Sequence, residues 1–157
     1  MDEQKIAIAK GMQLNVSPKH SNEVCYVIQG KNANKAVAYL DKVQEKKEFV
    51  PFRRYVTGIN HRKKGQAGKY PVKAAKLVQK ILKHAIKNAE FKGLEAEKLQ
   101  IYHATAYKTV TLNRTKPKGK AKPHRIDLTN IEIGVKQVWL KKNSWKKQER
   151  EWKQRDT

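Results

Sequence analysis

Apolar and polar residues alternate along the first segment, Lys5 to Val16: Ile6 and Ile8, then Met12, Leu14 and Val16, with Gly11 interrupting the phase. That is the pattern of a strand with a kink or bulge. Ser17-Pro18 next offers a capping hydroxyl ahead of a proline suited to the first helical position, and Gly30 suits a helix end, which predicts a helix over 18–29. A second helix begins near Asn32, carries Ala36, Val37, Leu40 and Val43 on one face, and ends in the run Gln44-Glu45-Lys46-Lys47. Residues 49–69 break the pattern with Pro51, Gly58, Gly65 and Gly68, and mix Phe49, Phe52 and Tyr55 with Arg53, Arg54, Arg62, Lys63 and Lys64. This segment reads as an extended basic loop.

The most regular helical pattern runs from Pro71 to Lys92, with Gly93 as its stop. At 100° per residue, Ala74, Val78, Ile81, Leu82, Ala85 and Ala89 form one stripe, and Lys73, Lys76, Lys80, Lys83 and Lys87 fall opposite. One helix then faces two environments. Beyond Gly93 the period changes to two: residues 99–112 and 126–140 are rich in β-branched and aromatic types and predict two long strands. In the second, Ile126 and Leu128 stand in one phase and Ile131, Ile133 and Val135 in the other, which predicts a bulge near Thr129-Asn130. Strands of this length reach roughly 40–45 Å, far beyond the ordinary strand, so the hairpin 99–138 must leave the domain. Its tip, residues 113–125, holds basic residues at nearly every second position and little that is apolar. The last segment, 139–157, is a basic tail carrying Trp139, Trp145 and Trp152.

Charge sharpens this picture. The 157 residues include 36 Lys or Arg against 14 Asp or Glu, a formal charge of +22. Such an imbalance costs self-repulsion in the compact state, and a polyanion that neutralises it is the natural partner. The length suits one domain: an α+β unit over 1–138 that includes the hairpin, with the tail as an appendage. A single cysteine, Cys25, cannot form an intramolecular disulfide, and no apolar stretch approaches the ~18 residues of a membrane span, so the expectation is an intracellular protein without a membrane. His20, His61, His84, His103 and His124 are scattered over different predicted elements, and no phosphate-loop or dinucleotide glycine pattern is present, so neither a metal nor a cofactor is called for. Cys25, beside Val24, Val27 and Ile28, reads as a small buried hydrophobe. Basic residues interleaved with flat side chains such as Phe52, Tyr55 and Trp145 can neutralise phosphates and stack on bases, although a packing role for each aromatic is an equal alternative. RNA is preferred to DNA because no helix-turn-helix, zinc-finger or basic-zipper pattern occurs.

Four segments carry a family resemblance: Ser17-Pro18-Lys19; Val50-Pro51-Phe52-Arg53-Arg54-Tyr55; Gly68-Lys69-Tyr70-Pro71-Val72-Lys73-Ala74-Ala75-Lys76; and Asn88-Ala89-Glu90-Phe91-Lys92-Gly93-Leu94. In this order they resemble the L-twenty-two family of large-subunit ribosomal proteins in its archaeal and eukaryotic form, over nearly everything from Lys5 to Val138. The resemblance implies a small antiparallel sheet packed on three helices with a long protruding β-hairpin, a place in the cytoplasmic ribosome, and a hairpin lining the nascent-peptide exit tunnel. One departure stands out. The family tip resembles Pro-Arg-Ala-x-Gly-Arg-Ala, whereas Pro117-Lys118-Gly119-Lys120-Ala121 is shorter and exchanges arginine forks for lysine point charges.

The expected function is a structural constituent of the large ribosomal subunit that performs no reaction. Its expected partners are large-subunit ribosomal RNA, neighbouring ribosomal proteins and the nascent polypeptide. The candidate RNA contacts are Lys19, Arg53, Arg54, Tyr55, Arg62, Lys63, Lys64, Lys69, Lys73, Lys76, Lys80, Arg114, Lys116, Lys118, Lys120, Lys122 and Arg125. The runner-up is a chromosomal DNA-bending protein using the β-ribbon as a minor-groove arm with Pro117 as wedge. A third reading, an RNA-processing enzyme, would need His61 and His103 to converge, with His20 as a further candidate.

Overall fold

A computed structural model describes residues 6–62, 67–115 and 123–138. The expectations that fall on Lys63, Lys64, Lys116, Lys118, Lys120, Lys122 and the tail 139–157 with its tryptophans lie outside the described residues. The chain runs β1 (Ile6–Leu14), α1 (Pro18–Ile28), α2 (Ala33–Gln44), β2 (Val50–Pro51), β3 (Gly68–Lys69), α3 (Val72–Phe91), β4 (Leu99–Thr115) and β5 (Pro123–Gln137). The expected α+β class holds: an antiparallel sheet of order β1-β5-β4 carries the helices on one face.

The core forms where the periodicity places it. Ala74, Val78, Ile81, Leu82, Ala85 and Ala89 of α3 are buried against the sheet, where Ala7 and Ala9 of β1 and Ile131, Ile133 and Val135 of β5 meet them. The side chains of Ala36, Leu40 and Val43 close the far side from α2. Where α2 crosses α3 a polar group is buried as well. Gln79 donates to Asp41 Oδ1 at 2.6 Å and to the Val37 carbonyl at 3.3 Å, and accepts from Gln44 Nε2 at 3.0 Å, so its amide is paired on both sides.

Helix boundaries follow the sequence to within a residue or two, but one cap does not. The Ser17 side chain makes no capping hydrogen bond; Pro18 at the first helical position, with its missing N–H, starts α1 instead. Asn32 does cap α2, its side-chain oxygen accepting the Asn34 N–H at 3.0 Å. Gly30, at φ 80°, turns the chain between α1 and α2. That turn docks on the outer edge of β4: Gly30 N–H donates to the Ile101 carbonyl at 2.8 Å, and Ile101 N–H donates to the Lys31 carbonyl at 3.0 Å. An otherwise open sheet edge is thereby covered.

The bulge expected near Thr129-Asn130 is not on that strand. β5 alternates without interruption through Thr129, Ile131, Ile133 and Val135, all buried on the helix side. The extra residues belong to its neighbours: β1 runs from Gly11 to Leu14 while β5 runs only from Ile131 to Thr129, and β4 runs from Lys108 to Thr111 while β5 runs from Thr129 to Asp127. The phase change read in the sequence arises because Ile126 and Leu128 lie on the other face of the sheet, beyond the part the helices cover. The ladder also continues further into the expected tip than the pattern suggested, with Asn113 opposite Arg125, Arg114 opposite His124 and Thr115 opposite Pro123.

The expected loop 49–69 is likewise more ordered than its composition implied. Val50 pairs with Lys69 and Pro51 with Gly68, Phe52 N–H donates to the Ala67 carbonyl at 3.0 Å, and Val50 and Phe52 are buried in the common core.

Candidate nucleic-acid interface

Two basic surfaces and an arm emerge from this frame. The first is built around Glu23 on α1, which is 2 % exposed. Its Oε2 accepts the Arg53 N–H at 3.1 Å, and its Oε1 accepts the Arg54 and Tyr55 N–H groups, both at 2.9 Å. A buried carboxylate needs such partners, and three backbone donors supply them. The main chain at 53–55 is therefore clamped to the helix, and its side chains are turned outward. Arg53 lies over the Tyr26 ring at 5.2 Å and donates to the Tyr26 hydroxyl at 3.2 Å, while Arg54 and Lys19 both approach the Tyr55 ring, at 5.7 and 5.6 Å. Lys19, Arg53 and Arg54 are exposed, so each cation rests on an aromatic ring while facing solvent.

Phe52, a candidate stacking residue, is instead buried and meets His20 edge to face at 5.5 Å. The aromatic run Phe52-Arg53-Arg54-Tyr55 thus divides its labour, because strand pairing of Val50 and Pro51 turns Phe52 inward. Burial, and next the charge of Lys69, hold the His20 pKa below its ordinary value. Lys69 itself stands opposite Val50 in the β2–β3 pairing. Arg62 is fixed a short way off: its Nε donates to the Gly68 carbonyl at 3.0 Å and its guanidinium lies 5.1 Å from the Tyr70 ring.

The second surface is the outward face of α3. Lys73, Lys76, Lys80, Lys83 and Lys87 are all exposed, and among the described residues none of them pairs with a carboxylate. The opposite stripe is buried, as the helical period requires.

The arm begins where β4 and β5 pass beyond the helices. From Tyr107 to Thr115 only Thr111 is partly covered; the other residues are exposed. Asp127 fastens the bulge at its root, accepting from Thr111 Oγ1 at 2.9 Å and pairing with Lys108 Nζ at 2.8 Å. These two contacts also hold its carboxyl below the usual range, the Lys108 bond contributing most. Arg114 and Arg125 lie near the described end of the arm, in adjacent rungs of the ladder and on opposite faces of it.

The histidines do not form a site. His20 packs on Phe52, His61 pairs with Ala67, and His103 lies on the sheet face away from the helices, its ring 3.3 Å from the Thr105 hydroxyl. Among the described residues no group of His, Cys, Asp or Glu is arranged to hold a metal ion. Cys25 is buried, and burial pushes its thiol up to about 12, in keeping with a packing role. No helix among the described residues is long and apolar enough to cross a membrane. The sequence reading missed Glu23, whose partners are backbone groups, and the pairing of Tyr26 and Tyr70 with arginines.

A sheet with helices on one face, basic side chains seated on aromatic rings and a two-stranded arm belong to a chain of charge +22, a class of protein whose charge balance suits a polyanionic partner. Comparison with known proteins narrows that class. The family model described as ribosomal protein L22p/L17e matches residues 9–136, and the chain belongs to this family. Among curated relatives, the large ribosomal subunit protein uL22 of Archaeoglobus fulgidus is 42% identical over 137 residues, covering 84% of this chain and 88% of that protein. The uL22 proteins of Methanocaldococcus jannaschii and Methanocella arvoryzae are 40% and 38% identical, over 83% and 84% of this chain and 86% and 90% of theirs. The resemblance carried by the four sequence segments is thus confirmed at the level of the family.

Proposed function

We propose that this protein is a structural constituent of the large ribosomal subunit, binding its RNA through the basic surfaces described above and lending its β-hairpin to the wall of the nascent-peptide exit tunnel. The observation that carries the reading is the arm. It is a two-stranded ribbon, exposed over most of Tyr107 to Thr115, on a chain of charge +22 and in a ribosomal family. An isolated ribbon is only marginally stable, and Arg114 and Arg125 on it, together with the basic sequence that joins its strands, are suited to phosphates that fix it from outside.

In this reading Lys19, Arg53, Arg54, Tyr55, Lys69 and Arg62 contact RNA beside α1, and Lys73, Lys76 and Lys80 contact it along α3. Arg114 and Arg125 meet RNA along the arm, and Lys63, Lys64, Lys116, Lys118, Lys120 and Lys122 are further RNA contacts in this reading. The role is binding and shape, with no chemical step: phosphate contacts set register, and release of counterions drives assembly. The chromosomal alternative draws no support from a ribosomal family match.

Sedimentation of a tagged full-length chain in cell extract tests the reading. Recovery with large subunits is expected; recovery with chromosomal DNA in their place would refute it.

A further inference from the structure

Between the end of α2, the β2–β3 ribbon and the start of α3 lies an open cavity of about 1140 Å³, somewhat above the range of small-ligand sites. Its wall includes Phe49, which is held from two sides. Tyr39 Oη donates to the Phe49 carbonyl at 3.0 Å, and the Phe49 ring lies so close across Gly68 that a β-carbon there would sit 2.4 Å from Cδ2. Only glycine at 68 leaves the ring its place. The ring is nonetheless partly exposed to the cavity, a flat apolar surface open to solvent. Lys31, Lys42 and Arg62 line the same cavity, and among the described residues none of the three pairs with a carboxylate. Two of them are seated: Lys31 Nζ lies 4.2 Å from the centre of the Tyr39 ring, and Arg62 is held by Tyr70 and the Gly68 carbonyl. The lining also contains acids. Glu45 is bound to Lys47 at 2.6 Å, while Glu48 stands near Tyr39, whose phenol burial and this carboxylate push up to about 12.

We infer that this cavity receives an unpaired nucleotide of RNA, its base stacked on Phe49, its phosphate met by Lys31, Lys42 and Arg62, and Glu48 accepting a hydrogen bond from an amino or ribose hydroxyl group. The inference deepens the RNA-binding reading and rests on it. An aromatic face packed across Gly68, with cations around it and one acceptor, matches the three parts of a nucleotide. A duplex keeps its bases stacked inside and cannot offer one to Phe49, so the site selects unpaired strand.

The composition supplies a direct probe. The chain has three phenylalanines: Phe49 in the cavity, Phe52 in the core and Phe91 exposed on α3. Full-length protein labelled with fluorophenylalanine should show three ¹⁹F resonances, to be followed while adding either a mixed-sequence single-stranded RNA decamer or the corresponding duplex. The single strand should shift the Phe49 resonance and leave Phe52 in place, and the duplex should bind without shifting Phe49. Phe49→Leu should weaken single-strand binding roughly 5- to 150-fold, the range for loss of one stacked base, with duplex binding unchanged and the remaining two resonances reporting an intact fold. Binding of the decamer with an unmoved Phe49 resonance, or equal loss of both RNAs in the variant, would overturn the inference and leave the general RNA reading standing. Failure of both RNAs to bind at all would overturn that reading first.

Discussion

Glu23 holds Arg54 through the main chain and not through charge: its Oε1 accepts the Arg54 N–H at 2.9 Å, while the Arg54 guanidinium lies 5.7 Å from the centre of the Tyr55 ring. The Glu23 carboxylate is thus taken up by backbone donors. The Arg54 guanidinium pairs with no carboxylate among the described residues.

A first prediction follows for Glu23→Gln. The amide keeps one acceptor but turns an NH₂ group toward N–H donors, leaving at least one buried donor unpaired. The variant should lose about 2 kcal/mol, roughly 4–8 °C in melting temperature for a chain of this size. Its affinity for RNA should also fall, because Arg53 and Arg54 are no longer held in place. Calorimetry and a binding titration check the two effects; unchanged values in both would mean that the clamp is idle.

The two faces of α3 give a paired test. Leu82 is fully buried, so Leu82→Ala should cost about 2–5 kcal/mol. Lys80 is exposed, and Lys80→Ala should leave the melting temperature nearly unchanged while weakening RNA binding and reducing the slope of log affinity against log salt by somewhat under 1. Reversed effects would mean that the faces are assigned the wrong way round.

How much of this was legible in advance depended on where each residue finds its partner. The α3 stripe was legible because twenty residues repeat one period and the sheet fills the buried side. β5 was misread because a single strand serves two environments: Ile131, Ile133 and Val135 face helices, whereas Ile126 and Leu128 lie on the other face of an arm that helices no longer cover. Periodicity reports burial, and a strand that leaves its core changes phase without any bulge. Glu23 could not be found from spacing, since three backbone N–H groups some thirty residues onward have no signature in side-chain type. Phe52 and Tyr55 illustrate the same limit within one motif, because the short β2–β3 pairing decides which ring enters the core.

His20 predicts a pH dependence. Its folded-state pKa lies below the ordinary value because burial, and next Lys69, disfavour the charged ring. The unfolded chain therefore binds the proton more readily, so stability is complete above about pH 6.5 and declines as the pH falls from there toward the lower folded-state value. Melting temperatures measured from pH 7.5 down to 5 should show this decline, and His20→Gln should flatten it. An identical decline in the variant would assign the effect elsewhere.

Ser21 is buried, and its hydroxyl has no hydrogen-bond partner among the described residues. Ser21→Ala removes that group at little loss of volume and should raise stability by up to about 1 kcal/mol, read as a small upward shift in denaturant midpoint. A loss of stability would show that the hydroxyl is satisfied after all.

The central claim is that the hairpin reaches the path of the nascent chain while the body of the protein grips RNA. It is tested most directly by replacing Arg114, near the described end of β4, with a photoreactive residue and irradiating ribosomes stalled on a radiolabelled nascent peptide. Assembly of the variant into large subunits together with a cross-link to the labelled peptide is the expected result. Normal assembly with cross-links to RNA alone would contradict tunnel lining and make the arm an RNA clamp.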